Sequence, residues 1–509
     1  FQTSGVPLAL KRDATDGVQS VHVEVKHPDE INTLFDPAIV YAKGSRLMHM
    51  LRRWLGDEAF AKGLNAYFAK HQYGNTIGRD LWNALGAASG RDVAAFMDSW
   101  LEQPGYPVLT AIVENDTLKI SQKQFFIGEK EEKGRLWVVP LNSNWTGIPD
   151  TLETETLEIP NYTALAAQNE GALRFNTENT AHYITDYQGE LLDNILATIT
   201  DLDNTSKLQV VQERRLLAEA GFVSFADLIP VVERLTNETS YLVVSAVKSV
   251  LTSLKIFVDE RTETEVAFKK LLVKLNQANF DRLGFEAKAG ETDEDELVRQ
   301  IVVANMIAAD DEKASQKASQ IFEAYHDTLE KLPAATRLQI LINQIKRHET
   351  KELTDKYLAK YITTVDGNFQ RQLASALSYT KNETTLTHLL EEWKNKDIVK
   401  PQDLAMSWYF TFLQHDFTQG TVWTWARDNW DWIKAALGGD MSFDKFVIYP
   451  ASTFKTHERL AEYKAFFEPQ LSDLAISRNI SMGIKEISAR IDLIDKEKVA
   501  VEAAIKATV

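Results

Sequence analysis

Apolar positions along the chain follow two rhythms, and the change between them divides it into three blocks. In residues 1–107 the spacing is helical after an extended start. Leu47, Met48, Leu51, Trp54 and Leu55 recur every three or four residues, a stripe that faces a core. Asp36-Pro37 marks the helix entry, since the Asp carboxylate can cap free amides and Pro suits the first helical position. Asp57 opens a second helix carrying Phe60, Leu64, Tyr67 and Phe68, and Thr76 and Asp92 are candidate caps for two more. The block stops at Gln103-Pro104-Gly105-Tyr106-Pro107, which cannot continue a helix.

Residues 108–185 switch to short strands. Leu118–Ser121 alternates apolar and polar, Leu136–Leu141 is a short apolar run, and Thr156–Ile159 and Ala172–Phe175 follow, separated by Gly, Asn, Pro and Asp. This pattern predicts a small β-sandwich. Residues 186–509 return to helical spacing, as in Leu191, Leu192, Ile195, Leu196 and Ile199, or Leu297, Ile301, Val302, Asn305 and Met306. Many moderate helices with short polar links suit stacked helix pairs of the HEAT-like kind. Trp423, Trp425, Trp430 and Trp432 are expected to pack in the core rather than stack on a ligand.

Composition narrows the function classes. A chain of 509 residues exceeds one core, and its 44% hydrophobic and 25% charged residues are ordinary for a globular protein. A net charge of −17 argues against nucleic acid or an anionic membrane as partner. Cysteine is absent, which excludes disulfides and thiolate chemistry and makes a cytoplasmic location the default. Phe1 stands where an initiator Met is usual, so the chain is expected to start within a longer protein.

No complete catalytic motif is present. A zincin needs His-Glu-x-x-His, which sets two imidazoles one helical turn apart. Here His348-Glu349 meets Glu352 at the second position and His457-Glu458 meets Ala461, so both read as exposed helix residues. His22 and His27 lie five residues apart in an extended segment and suit no shared metal. Gly-x-Ser-x-Gly, a phosphate loop and Gly-x-Gly-x-x-Gly are also missing.

The segment Phe35–Leu51 nevertheless resembles the helix that follows the zinc site in the aminopeptidase N family. It carries Tyr41, then Lys43-Gly44-Ser45 and an apolar run ending in Met50-Leu51. Family members have an acidic residue, Tyr, Lys-Gly-Ala and a similar run, so Ser45 departs from the usual Ala. Ala9-Leu10 with Asp13, then Ser20 and His22, is similar to the family's approach to this helix, although Val23-Glu24 replaces its usual Pro-Ile. Asn75-Thr76 with Asp80-Leu81-Trp82, Trp100 with Gln103–Pro107, Leu283-Gly284-Phe285 with Gly290-Glu291, Trp425 with Asn429-Trp430, and Phe466-Phe467 extend the likeness.

The resemblance implies a mainly α chain with a small β-sandwich. Residues 1–107 would be the helical end of a thermolysin-like catalytic domain, 108–185 a β-sandwich, and 186–509 a HEAT-like superhelix acting as a lid. The parent would be a zinc aminopeptidase acting on peptides, with its zinc ligands upstream of residue 1 and none expected in this chain. The missing N-terminal half would then be a partner, and the isolated chain inactive. Tyr41 alone carries over as a catalytic residue, its hydroxyl bonding the oxyanion that forms when zinc-activated water attacks the peptide carbonyl. Lys43 and Gly44 are expected to be structural, Gly44 by allowing close helix approach, and Arg46 and His49 to be helix-surface or packing residues. The rival expectation is a non-catalytic helical-repeat scaffold binding a protein or peptide. A third is a relative that uses the same lid for epoxide hydrolysis.

Overall fold

The computed structural model describes residues 1–128, 131–440 and 442–508, the side chains of Asp29, Asn32 and Thr33 excepted. Two compact units result, Phe1–Arg234 and Leu235–Val509.

In the first unit, a helix Gly5–Asp13 occupies the expected extended start. Val6, Ala9, Leu10 and Asp13 form its buried stripe, a helical period with one polar position. A wide π turn, Ala38–Lys43, runs into the helix Gly44–Leu55, and helices Asp57–His71, Gly78–Ser89 and Val93–Leu101 follow. Asp36 does cap its turn, accepting from Ala38 N at 3.0 Å, and Asp92 caps the last helix through Ala95 N, also at 3.0 Å. Thr76 caps nothing. Its hydroxyl pairs with Tyr67 Oη, and Asp80 receives the Ile77 amide instead.

Among the described residues six strands follow: β1 (Pro107–Glu114), β2 (Thr117–Gln124), β3 (Val139–Pro140), β4 (Thr151–Leu152), β5 (Thr156–Pro160) and β6 (Ile184–Tyr187). Four form one sheet in the order β5-β2-β1-β6, with β6 parallel to β1 and the other pairs antiparallel. β3 and β4 make a separate two-residue ribbon. The β1–β2 turn is Asn115-Asp116, both at positive φ, the geometry of a two-residue hairpin loop.

Two predicted strands turn out otherwise. Of Leu136–Leu141 only Val139-Pro140 is a strand, because a side chain does the pairing before it. Gln122 Oε1 accepts from Trp137 N and its Nε2 donates to Trp137 O, each at 3.0 Å. Ala172–Phe175 is irregular. Its amides and carbonyls go to Asn144 and to the Tyr187 hydroxyl rather than to a ladder. Trp100, Tyr106, Trp137 and Tyr183 join the helices and the sheet in a single core.

Helices build the second unit. Neighbours in sequence pack together, as Glu263–Leu283 does with Asp293–Ala308, and Lys351–Thr363 with Gly367–Leu377. The final helix, Ser477–Lys506, returns to pack on Glu263–Leu283. Short polar caps start many of these helices: Thr262, Thr292, Asp311, Thr350, Asn382 and Thr456 each accept from an amide two or three residues on. Trp423 is fully buried against Phe454, Tyr463 and Phe467, and Trp430 packs on the same aromatic group. No helix among the described residues is long and apolar enough to cross a membrane.

Candidate functional site

Tyr41 lies in the middle of the π turn, and its surroundings explain its unusual exposure. Ala38, Ile39, Ala42 and Lys43 are all buried on that turn, whereas Tyr41 is 62% exposed. The turn closes through Gly44 N to Ile39 O, a five-residue step, so a residue midway can face outward while its neighbours face inward. The Tyr41 ring rests edge-on against Phe35, with centroids 5.6 Å apart, which leaves the hydroxyl end free to reach a ligand.

Behind the turn lies a cluster of fully buried polar groups. Lys43 Nζ sits 2.8 Å from Asp13 Oδ2 and donates to Gly105 O at 3.1 Å. Asp13 Oδ1 accepts from Gly105 N at 2.9 Å, and His182 Nε2 reaches Asp13 Oδ2 at 3.0 Å. Gly105 is the hinge of this arrangement, at φ +87° with both its amide and its carbonyl in use. Burial would raise the Asp13 carboxyl, but Lys43 and His182 overcome it and hold it below its usual value. Burial also pushes the His182 imidazole down to about 4, against the pull of Asp13, so it donates as a neutral ring.

One helical turn on from Lys43, Arg46 is fully buried rather than on the surface. It donates to Asn179 O at 3.1 Å, to Asn179 Oδ1 at 2.9 Å, and to Ala181 O. Nearby, the buried Glu213 accepts from Gln209 Nε2 at 2.8 Å and Thr185 N at 3.2 Å, and burial raises its carboxyl to about 8. His49 is half-buried, with its ring edge-on to Phe1 at 5.7 Å. Gly44 is not a close-approach position, since a Cβ there would meet nothing nearer than Ile39 O at 3.9 Å. Gly63 is, because a Cβ there would fall 2.9 Å from Leu85 Cα.

Sequence reasoning singled out Tyr41 and Lys43 but assigned no role to Asp13 or His182. Asp13 appeared only as part of a family pattern, and His182 stands 169 residues away from it with no motif around it. The other histidines considered are dispersed: His22 pairs with Glu102 at 2.8 Å and His457 with Asp495 at 3.0 Å, all exposed. Among the described residues, no three His, Asp or Glu side chains gather into a group able to hold a metal.

Comparison with known proteins gives the site its context. Residues 173–489, more than half of the chain, match the model of an ERAP1-like C-terminal domain, and residues 1–100 match that of the peptidase family M1 domain. An aminopeptidase N of Lactococcus lactis subsp. lactis is 61% identical over 99% of this chain and 59% of its own length. A second, from strain IL1403, is 54% identical over 99% and 60%. The aminopeptidase N of Lactobacillus helveticus is 42% identical over 99% and 60%. The chain thus spans about three fifths of the length of these relatives.

Proposed function

The chain belongs to the aminopeptidase N family, and on that premise we propose that it is the C-terminal part of a zinc-dependent aminopeptidase that removes N-terminal residues from peptides. Residues 1–107 are then the helical end of a thermolysin-like catalytic domain, 108–185 a β-sandwich domain, and 186–509 a HEAT-like lid over the active site. The zinc ligands belong to the part of the relatives' length that this chain does not span. A cytoplasmic location is part of the same reading, supported by a chain free of cysteine. The peptidase relatives do not favour a non-catalytic scaffold.

Tyr41 is the catalytic residue in this chain. When water adds to the scissile carbonyl, negative charge collects on the carbonyl oxygen. A phenol held at a fixed position donates a hydrogen bond that strengthens as this charge grows, so it stabilises the transition state more than the bound peptide. The observation that carries the proposal is the exposed Tyr41 on a turn whose neighbouring side chains are buried. In the full-length enzyme, Tyr41→Phe is expected to lower kcat about 10²- to 10³-fold at unchanged zinc content. A kcat near that of the parent removes Tyr41 from the chemistry. This chain alone is expected to bind no stoichiometric zinc and to cleave no aminoacyl anilide, and turnover with bound metal would refute that.

A further inference from the structure

Two consecutive residues of one helix grip both ends of the turn that carries Tyr41. Arg12 Nε donates to Asp36 Oδ2 at 2.6 Å, just before the turn begins. Asp13 Oδ2 holds Lys43 Nζ at 2.8 Å, on its last residue. The signs of charge are reversed between the two contacts: cation to anion at one end, anion to cation at the other. Neither contact is isolated. Asp36 also caps the turn through Ala38 N, and Asp13 is fixed in its own right by Gly105 N and His182 Nε2.

A clamp of this kind answers a physical question that the turn raises. Wide i to i−5 winding is rare, and ordinary α winding is the default for a helical segment. Reverting to α winding shifts the register by one residue and rotates a side chain by about 100° around the axis. That rotation would swing the Tyr41 hydroxyl off the face it now occupies. Two charge contacts seven residues apart, one at Asp36 and one at Lys43, fix the winding between them.

The geometry points to Arg12, Asp13, Asp36 and Lys43 as a charge clamp that sets the Tyr41 hydroxyl in place. They are positioning residues for polarising the carbonyl, and the inference rests on the role given to Tyr41 above. The two ends differ in depth. The Asp13–Lys43 contact is fully buried, whereas Arg12 and Asp36 retain 27% and 12% of their side-chain exposure. The Arg12 end is therefore where the clamp can be loosened without emptying the core.

The test uses Arg12→Gln and Arg12→Lys in two settings. In this chain, amide hydrogen exchange should quicken at least about tenfold over residues 40–44 in Arg12→Gln, with the helix Val93–Leu101 unchanged, and return near the parent rate in Arg12→Lys. Unchanged exchange over 40–44 overturns the clamp, and this arm needs no enzyme activity. In the full-length zinc enzyme, Arg12→Gln should lower kcat about 10- to 100-fold with KM and zinc content unchanged, and Arg12→Lys should restore it. In a Tyr41→Phe background, the same Arg12→Gln change should cost less than about twofold more, since both act through one hydroxyl. An equal loss in both backgrounds overturns the positioning role. Should Tyr41→Phe alone retain full kcat, the reading of Tyr41 fails and the positioning role with it, while the exchange arm still decides whether the clamp exists.

Discussion

His182 in the first unit is fully buried and His415 in the second half-buried; desolvation keeps both imidazoles neutral, yet they keep different company. His182 donates to a carboxylate that also carries Lys43, in a group where all three side chains have no exposure. His415 meets a serine hydroxyl and an aromatic ring, with the charges of Lys255, Lys346 and Lys381 nearby and no carboxylate among its described partners. Ser378 Oγ lies 3.1 Å from His415 Nε2, and Tyr379 is 4.2 Å away centroid to centroid. Ser378 already spends its one proton on Ser375 O at 2.7 Å, so the imidazole is the donor. The contrast extends to the charged groups. In the second unit, buried Arg299 pairs with Glu291 and Lys346 with Asp310, and those carboxylates keep 15% and 39% of their exposure. The first unit places full charges where water cannot reach them, and the turn bearing Tyr41 is built on those charges. The second encloses aromatic rings and lets most of its charges stay wet.

The sharpest way to break this contrast is to remove one buried charge. Lys43→Ala leaves the Asp13 carboxylate without its cation and should cost about 3–5 kcal/mol in denaturant unfolding. A loss below about 1 kcal/mol would mean that the first unit does not depend on the pair.

Acidity should separate the units next. The folded-state value of Glu213 lies near 8 and its unfolded value near 4.5, so its contribution is complete below 4.5 and is lost as pH rises through 8. His182 has the opposite sign: its contribution is complete above 6.5 and is lost as pH falls through about 4. The two offset each other between 4.5 and 6.5, and from 6.5 to 8 Glu213 alone should remove roughly 2 kcal/mol from the first unit. His415, pushed to about 3 by burial, stabilises the second unit above 6.5 and loses that contribution only as pH falls. Hydrogen exchange followed from pH 4.5 to 8.5 should show the first unit weakening at the alkaline end and the second at the acid end. Glu213→Gln should abolish the alkaline loss in the first unit and leave it weakening only toward pH 4.5, through His182, whereas His415→Gln should flatten the second profile. Parallel profiles in the two units would undo the comparison.

The smallest effect is local. Thr292 and Asp295 exchange amide contacts in a capping box at 3.2 and 3.0 Å, so Thr292→Ala should cost about 1 kcal/mol in thermal melting at any pH in this range.

What the sequence reveals and hides follows from how far each interaction reaches. Asp36 and Asp92 were legible as caps because a cap bonds an amide two or three residues on. β2 and β5 were legible from their alternation and turn residues. Leu136–Val138 misled because a glutamine amide fifteen residues earlier takes the place of a neighbouring strand. The helix Gly5–Asp13 was missed because its stripe ends on an aspartate, which only makes sense once Lys43 and His182 are beside it. The sequence left Arg46 as either a surface or a packing residue, and it is buried because Asn179 and Ala181 supply acceptors more than 130 residues later. Tyr41 was singled out through family likeness alone. Its π winding has no sequence mark at all.

The contact between Asp13 and His182 also bears on how the protein is made. A chain leaving the ribosome at about 5–20 residues per second presents Asp13 on the order of 10 to 30 s before His182 emerges, 169 residues later. β6 arrives at the same moment to lie parallel to β1. Until then the helices that carry Tyr41 have no finished interior, and Asp13 and Lys43 must wait hydrated, so the turn bearing Tyr41 is expected to set among the last events of the first unit's folding during synthesis.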